Sequence, residues 1–159
     1  MGILPGRLIG KPQHHIDAAI VIGVFFTRDE KIKDACIAYC NSLGYKYAGN
    51  ISLVSLGEIT KKFGAIKYKL AREEAMVFLG DFLRKKSVKI CYLEEADIDL
   101  TKELKRMNYR CDIPELLSLA VAIRSKATVF MTLDDCMLES EKFIAEIRNK
   151  YGISVQKPR

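Results

Sequence analysis

No run of the ~18 consecutive apolar residues that a membrane-spanning helix requires occurs in this 159-residue chain. The opening "MGILPGRLIGKPQHH" lacks the apolar core of a signal peptide, and Gly6 stands where myristoylation needs Ser or Thr. CxxC pairs are missing too, and the five cysteines (36, 40, 91, 111 and 136) are odd in number. That pattern argues against a secreted disulfide scaffold and for reduced thiols in a cytoplasmic protein. Cys36 and Cys40 could share a helix face and bind a metal, but small core residues are the simpler reading. There is no internal repeat, low-complexity tract or linker.

What is present suffices for one well-packed domain. Apolar residues make up 49% of the chain, which excludes global disorder. The net charge of +6 fits an anionic partner such as nucleic acid without requiring one. Basic groups recur at 61–62, 67–72, 84–89, 102–110 and 124–126. Tyr45, Tyr47, Tyr68 and Tyr109 are interleaved with them and could stack on unpaired bases.

Strand and helix patterns alternate along the chain. Residues 1–15, with two prolines and three glycines, read as an irregular lead-in to a single domain over 16–159. "IDAAIVIGVFF" (16–26) is β-branched and strand-like, and "RDEKIKDACIAYCNSLG" is an amphipathic helix stopped at Gly44. "KYAGNISLV" is a short extended piece, followed by "SLGEITKKFG", a helix opening on Ser55. Beyond it come the helix "AREEAMVFLGDFLRKK", the strand "VKICYL", and the helices "DIDLTKELKRM" and "DIPELLSLAVAIRSK". The strand "ATVFMTL", the helix "ESEKFIAEIRNKYG" and a last strand "ISVQ" complete the chain. Such alternation predicts a three-layer α/β/α sandwich around a central, mostly parallel sheet.

Carboxylates fall at the junctions of these elements. Asp112, followed by Pro114 and Glu115, has the pattern of a helix N-cap, and Ser55 and Glu58 have that of a capping box. Asp17 and Asp134 could likewise serve local turns. In a right-handed βαβ path, however, the start of the 112–125 helix and the end of the 128–131 strand lie on one sheet edge. Asp112 and Asp134 should therefore be neighbours at the edge where open α/β sheets place ligands. Gathered carboxylates repel unless a cation sits among them, and hard oxygen donors select Mg²⁺ or Mn²⁺.

From about His15 onward the sequence resembles the PIN-domain ribonucleases. There an Asp follows the first strand, a Glu sits in a helix like "VSLGEI", an Asp opens a helix like "DIPELLSLAVA", and a T-x-D ends the next strand, here Thr132-Leu133-Asp134. The resemblance puts the first strand ahead of Asp17, unlike the residue pattern of 16–26. It implies that Asp17, Glu58, Asp112 and Asp134 are catalytic metal ligands, directly or through water. Thr132 would support the site and Asp135 would be an outer acid. It also implies a Mg²⁺- or Mn²⁺-dependent endoribonuclease that hydrolyses RNA through a metal-activated water. The VapC toxins, small members of the family, suggest a cytoplasmic homodimer restrained by an antitoxin.

The sequence departs from the family where Thr or Ser, then Asn or Ser, usually follow the first Asp; here stand Ala18 and Ala19. Two alternatives therefore stand beside the toxin reading: an RNA-processing nuclease with no antitoxin, and a catalytically weak RNA-binding or assembly module. His14 and His15 could be ligands or a proton shuttle, or belong to a solvated lead-in. "GRLIGKP" is too short for a phosphate-binding loop, and "DIDLT" does not follow a strand directly as a phosphatase nucleophile would.

Overall fold

The computed structural model describes residues 10–159. Residues 1–9, which hold most of the expected lead-in, Gly6 and part of the rejected phosphate loop, lie outside the described residues. The first strand is β1 (Gln13–Ile16), and Asp17 caps α1 (Ala18–Phe26). The strand ahead of Asp17 that the resemblance implies is borne out, and two readings of the residues alone are corrected. Part of the lead-in is a strand, and the apolar run after Asp17 is a helix. The physical reason is that α1 is buried on several sides, with Ala18, Ile20, Val21, Gly23 and Val24 all inside. A helix surrounded by apolar neighbours carries no polar stripe, so its pattern looks like that of a buried strand.

The chain continues through α2 (Glu30–Ser42), β2 (Ala48–Ser52), α3 (Leu53–Gly64), α4 (Lys69–Arg84), β3 (Lys89–Cys91) and α5 (Glu95–Met107). It closes with α6 (Ile113–Arg124), β4 (Val129–Met131), α7 (Asp135–Leu138), α8 (Glu141–Tyr151) and β5 (Ser154–Gln156). Gly44, at φ 77°, makes the left-handed turn after α2, where a side chain would also press on the Lys86 carbonyl oxygen. Helix α3 starts three residues earlier than its sequence suggests, because Ser52 rather than Ser55 is its N-cap.

All five strands are parallel, in the order β3-β2-β1-β4-β5. The fold is thus α/β, and the sheet is wholly rather than mostly parallel. Alternation along each strand separates two cores. Ile16 and Met131 pack with Ile20, Ile51, Ile59 and Phe63 on one face, while Phe130 and Val155 pack with Leu116, Leu119, Phe143 and Ile147 on the other. Cys36 and Cys40 are buried free thiols of the first core, as expected of small core residues.

His14 and His15 belong to neither a solvated lead-in nor a ligand set. Both are buried in β1, and burial lowers each to about 4, so the rings are neutral at pH 7. His14 Nδ1 is 2.9 Å from the Tyr39 hydroxyl and its ring stacks on Tyr47. His15 stacks on Phe130.

Helix α6 is tied to α5 at its far end. Arg124 donates from Nε and Nη2 to the two carboxylate oxygens of Asp97, at 2.7 and 3.0 Å, and from Nη2 to the Tyr92 carbonyl at 2.7 Å. Asp97 is fully buried while Arg124 keeps about a quarter of its side chain exposed. Removing the guanidinium would strand a buried carboxylate. Arg124→Ala is expected to cost about 2–3 kcal/mol in urea unfolding, at the low end for buried pairs because water reaches the Arg side. Replacing both partners with apolar residues should recover part of that loss.

Candidate metal centre

The register of β1 against β4 builds the core of the site. Ile16 lies opposite Met131, and the Asp17 amide donates to the Met131 carbonyl oxygen at 2.9 Å, extending the ladder by one bond. Asp17 and Thr132 thus emerge side by side at the carboxyl ends of adjacent strands. Strand order reverses between β1 and β4, since the chain winds outward through β2 and β3 on one side and through β5 on the other. Open parallel sheets bind ligands at such a switch point.

Asp17 is 4% exposed and has two donors. Thr132 Oγ1 donates to its Oδ2 at 2.8 Å, and the Ala18 amide donates to its Oδ1 at 2.9 Å. The same Thr132 oxygen accepts the Asp134 amide at 3.0 Å, so one hydroxyl orients the Asp17 carboxylate and anchors the backbone of Asp134. Despite those donors, burial pushes the Asp17 carboxyl up to about 7, with the charges of Glu58 and Glu115 adding to it. Asp134, half-buried at the start of α7, is also pushed up to about 7 by burial, then by Asp17 and Glu115. Glu58 is raised by burial and by Glu115.

The fourth acid of this group is Glu115. Asp112, the expected ligand, is exposed at the N-cap of α6. Glu115 contributes to the upward shifts of Asp17, Glu58 and Asp134 and lies within hydrogen-bonding reach of Asp134. Asp112 and Glu115 do form the capping box that the sequence suggested, with Glu115 Oε2 accepting the Asp112 amide at 2.8 Å. Asp135 is exposed and lines a separate surface cavity with Lys31 and Leu138.

Glu115 has a structural signature that would have identified it. Ser52, Ser55 and Ser118 are all buried, and their hydroxyls meet at 2.9–3.1 Å. Glu58 lies three residues after Ser55 on α3, and Glu115 three residues before Ser118 on α6. Residues three apart share a helix face. The hydroxyl cluster therefore pins α3 to α6 about one helical turn from each glutamate.

The donor set fits a hard divalent cation. All four groups are carboxylates, and among the described residues none of them forms an ion pair. Among the described residues no three of these acids bring their oxygens within 4.8 Å of one another. An ion here would be held directly by one or two of them and through water by the others, as suits Mg²⁺ or Mn²⁺.

No family model matches the chain, and no curated protein matches it. Solved structures do, at low identity. The VapBC2 complex of Rickettsia felis, bound to a promoter DNA fragment, matches with a TM-score of 0.64 and 14% identity over 92% of this chain and 99% of that one. The Mycobacterium tuberculosis VapBC-5 complex matches with a TM-score of 0.56 and 17% identity over 92% and 98%. VapC20 of the same organism, a toxin that cleaves the sarcin–ricin loop, matches with a TM-score of 0.54 and 14% identity over 84% and 94%.

Raised carboxyls predict how the metal-free protein responds to pH. An unfolded Asp titrates near 3.8, so the Asp17 contribution to stability is full below that value and is lost as pH rises through about 7. In EDTA at pH 8, Asp17→Asn should therefore be more stable than wild type by on the order of 2 kcal/mol. At pH 4 the advantage should vanish. Thermal unfolding at the two pH values checks this, and the buried histidines cancel from the comparison. The chain has the PIN-type α/β fold of the VapC toxins.

Proposed function

We propose that the protein is a divalent-metal-dependent endoribonuclease of the VapC type, with Asp17, Glu58, Glu115 and Asp134 as its metal-holding acids. The observation that carries this reading is the gathering of four carboxylates at the switch point, two raised to about 7, with no cationic side chain among the described residues paired to them. An assembly whose charges oppose one another is explained by the ligand that relieves them. Bound there, Mg²⁺ or Mn²⁺ would supply the positive charge that acidifies a water nucleophile and stabilises the phosphodiester as it breaks.

The chain's own residues do the rest. Thr132 and the Ala18 amide fix the Asp17 carboxylate, and Thr132 also fixes the backbone that carries Asp134. The serine cluster ties together the helices that carry Glu58 and Glu115. Tyr109 is 80% exposed, and with Arg110 it immediately precedes Cys111 and the acidic end of α6. The exposed Tyr109 ring could stack on an unpaired base, while the Arg110 guanidinium is paired with Glu139 at 3.4 Å. Tyr47, by contrast, is stacked on His14 and is not offered to a base.

Even with Ala18 and Ala19 in place, the Asp17 carboxylate keeps two donors, the Thr132 hydroxyl of the T-x-D segment and the Ala18 amide, which supports the nuclease reading over a weak binding module. The structures that share this fold include toxin–antitoxin complexes, which supports an antitoxin protein as partner. A homodimer and a cytoplasmic setting remain part of the same proposal.

Cleavage of a mixed RNA by the purified protein in Mn²⁺ tests the reading. Glu58→Gln and Glu115→Gln should each lower the rate at least ~100-fold, while Asp112→Asn, which keeps its cap, should stay within a few-fold of wild type. Unchanged cleavage in Glu115→Gln, or in EDTA, would sink the proposed site. RNA binding without cleavage would favour the assembly module. Because Asp17 and Asp134 must lose protons to hold an ion, Mn²⁺ affinity should climb between pH 6 and 8, which calorimetric titration can follow.

A further inference from the structure

Cys111 and Cys136 form a disulfide between the residue preceding the α6 cap and the second residue of α7, with Cα atoms 5.3 Å apart. The sequence led us to expect reduced thiols, and for this pair the structure corrects that. Odd cysteine count concealed the pair, since Cys36, Cys40 and Cys91 are free. The bridge joins the two segments that present Glu115 and Asp134. Cys136 lies two residues beyond Asp134, and its Sγ is 3.7 Å from Glu115 Oε2.

We propose that Cys111–Cys136 is a reversible thiol–disulfide modification site whose oxidised form clamps Glu115 against Asp134 and thereby sets the metal affinity of the centre. This inference rests on the metal-site reading above. Three features support it. The bridge is the covalent link between α6 and α7 at their acidic ends, whereas α3 and α6 are already tied by the serine cluster. The backbone around both sulfurs is held independently, since Lys105 Nζ donates to the Cys111 carbonyl and Asn108 Nδ2 to the Cys136 carbonyl at 2.8 Å. The thiols of the reduced form therefore stay close enough to pair again. Finally, Cys136 is half-buried and Cys111 fully buried, so an incoming thiolate has one open target.

Small thiols and their disulfides are the reactants. A thiolate attacks Cys136 Sγ, the Cys111 sulfur leaves as thiolate and takes a proton, and a mixed disulfide remains on Cys136. A second thiol attacks that mixed disulfide, freeing the Cys136 thiol and releasing the small-molecule disulfide. Two electrons thus pass from two thiols to the protein bridge, and oxidation by a small disulfide runs the same steps backward.

The test uses the full-length wild-type protein equilibrated in glutathione buffers of graded redox poise. Alkylation of free thiols followed by mass measurement counts the bridge, and Mn²⁺ titration measures the centre. We expect one bridge to open and close reversibly, with the oxidised form binding Mn²⁺ about tenfold more tightly, a size typical of groups that orient metal ligands. Cys136→Ser should bind at the reduced level whatever the buffer, and Cys91→Ser should respond like wild type. A bridge that never forms, or equal Mn²⁺ affinity in both forms, overturns the inference. Redox-dependent Mn²⁺ binding without RNA cleavage in either form would instead count against the nuclease reading and leave the clamp standing.

Discussion

Parallel pairing of β1 with β4, with Ile16 opposite Met131, decides which side chains meet at the carboxyl edge. A slip of one residue would turn Ile16 out of its core and carry Asp17 away from Thr132. The register is enforced from both faces, because Ile16 and Met131 pack on one side while His15 and Phe130 stack on the other. Core packing thus fixes the position of a charged group that the core itself does not favour.

The same economy is visible in the acids. Local structural roles and site roles overlap: Asp17 caps α1, Asp134 precedes α7, and Glu115 completes the capping box of α6. Helix N-termini favour nearby carboxylates through their free amides and their dipoles. Three such termini opening at one edge lower the cost of collecting acids there, although burial and mutual repulsion still dominate Asp17 and Asp134.

That overlap explains what could be read from the sequence. The alternation of elements gave the α/β layout, whereas Asp17, Glu58, Asp134 and Thr132 were singled out through the family resemblance, because the residue pattern of 16–26 alone put the strand on the wrong side of Asp17. Glu115 was not, since Asp112 and Glu115 satisfy one capping pattern and only the packing of Ser118 on Ser52 and Ser55 shows which of them looks inward. Helix α1 was illegible in its own residues because burial on several sides leaves it with no polar face. Cys111 and Cys136, 25 residues apart, carry no local signal of pairing at all.

Strand β1 is hydrogen-bonded on both sides at the centre of the sheet, whereas α7 is a four-residue helix at the surface end of β4. Amide exchange in a folded protein follows such differences: doubly paired central strands open only with the whole molecule, while short peripheral turns open locally and often. Asp17 therefore follows the slowest-exchanging part of the chain, whereas α7 is too short to hold itself and is anchored by buried Met137 and by the Cys111–Cys136 bridge. The centre thus has one wall fixed by the sheet and one whose stiffness depends on a single covalent link.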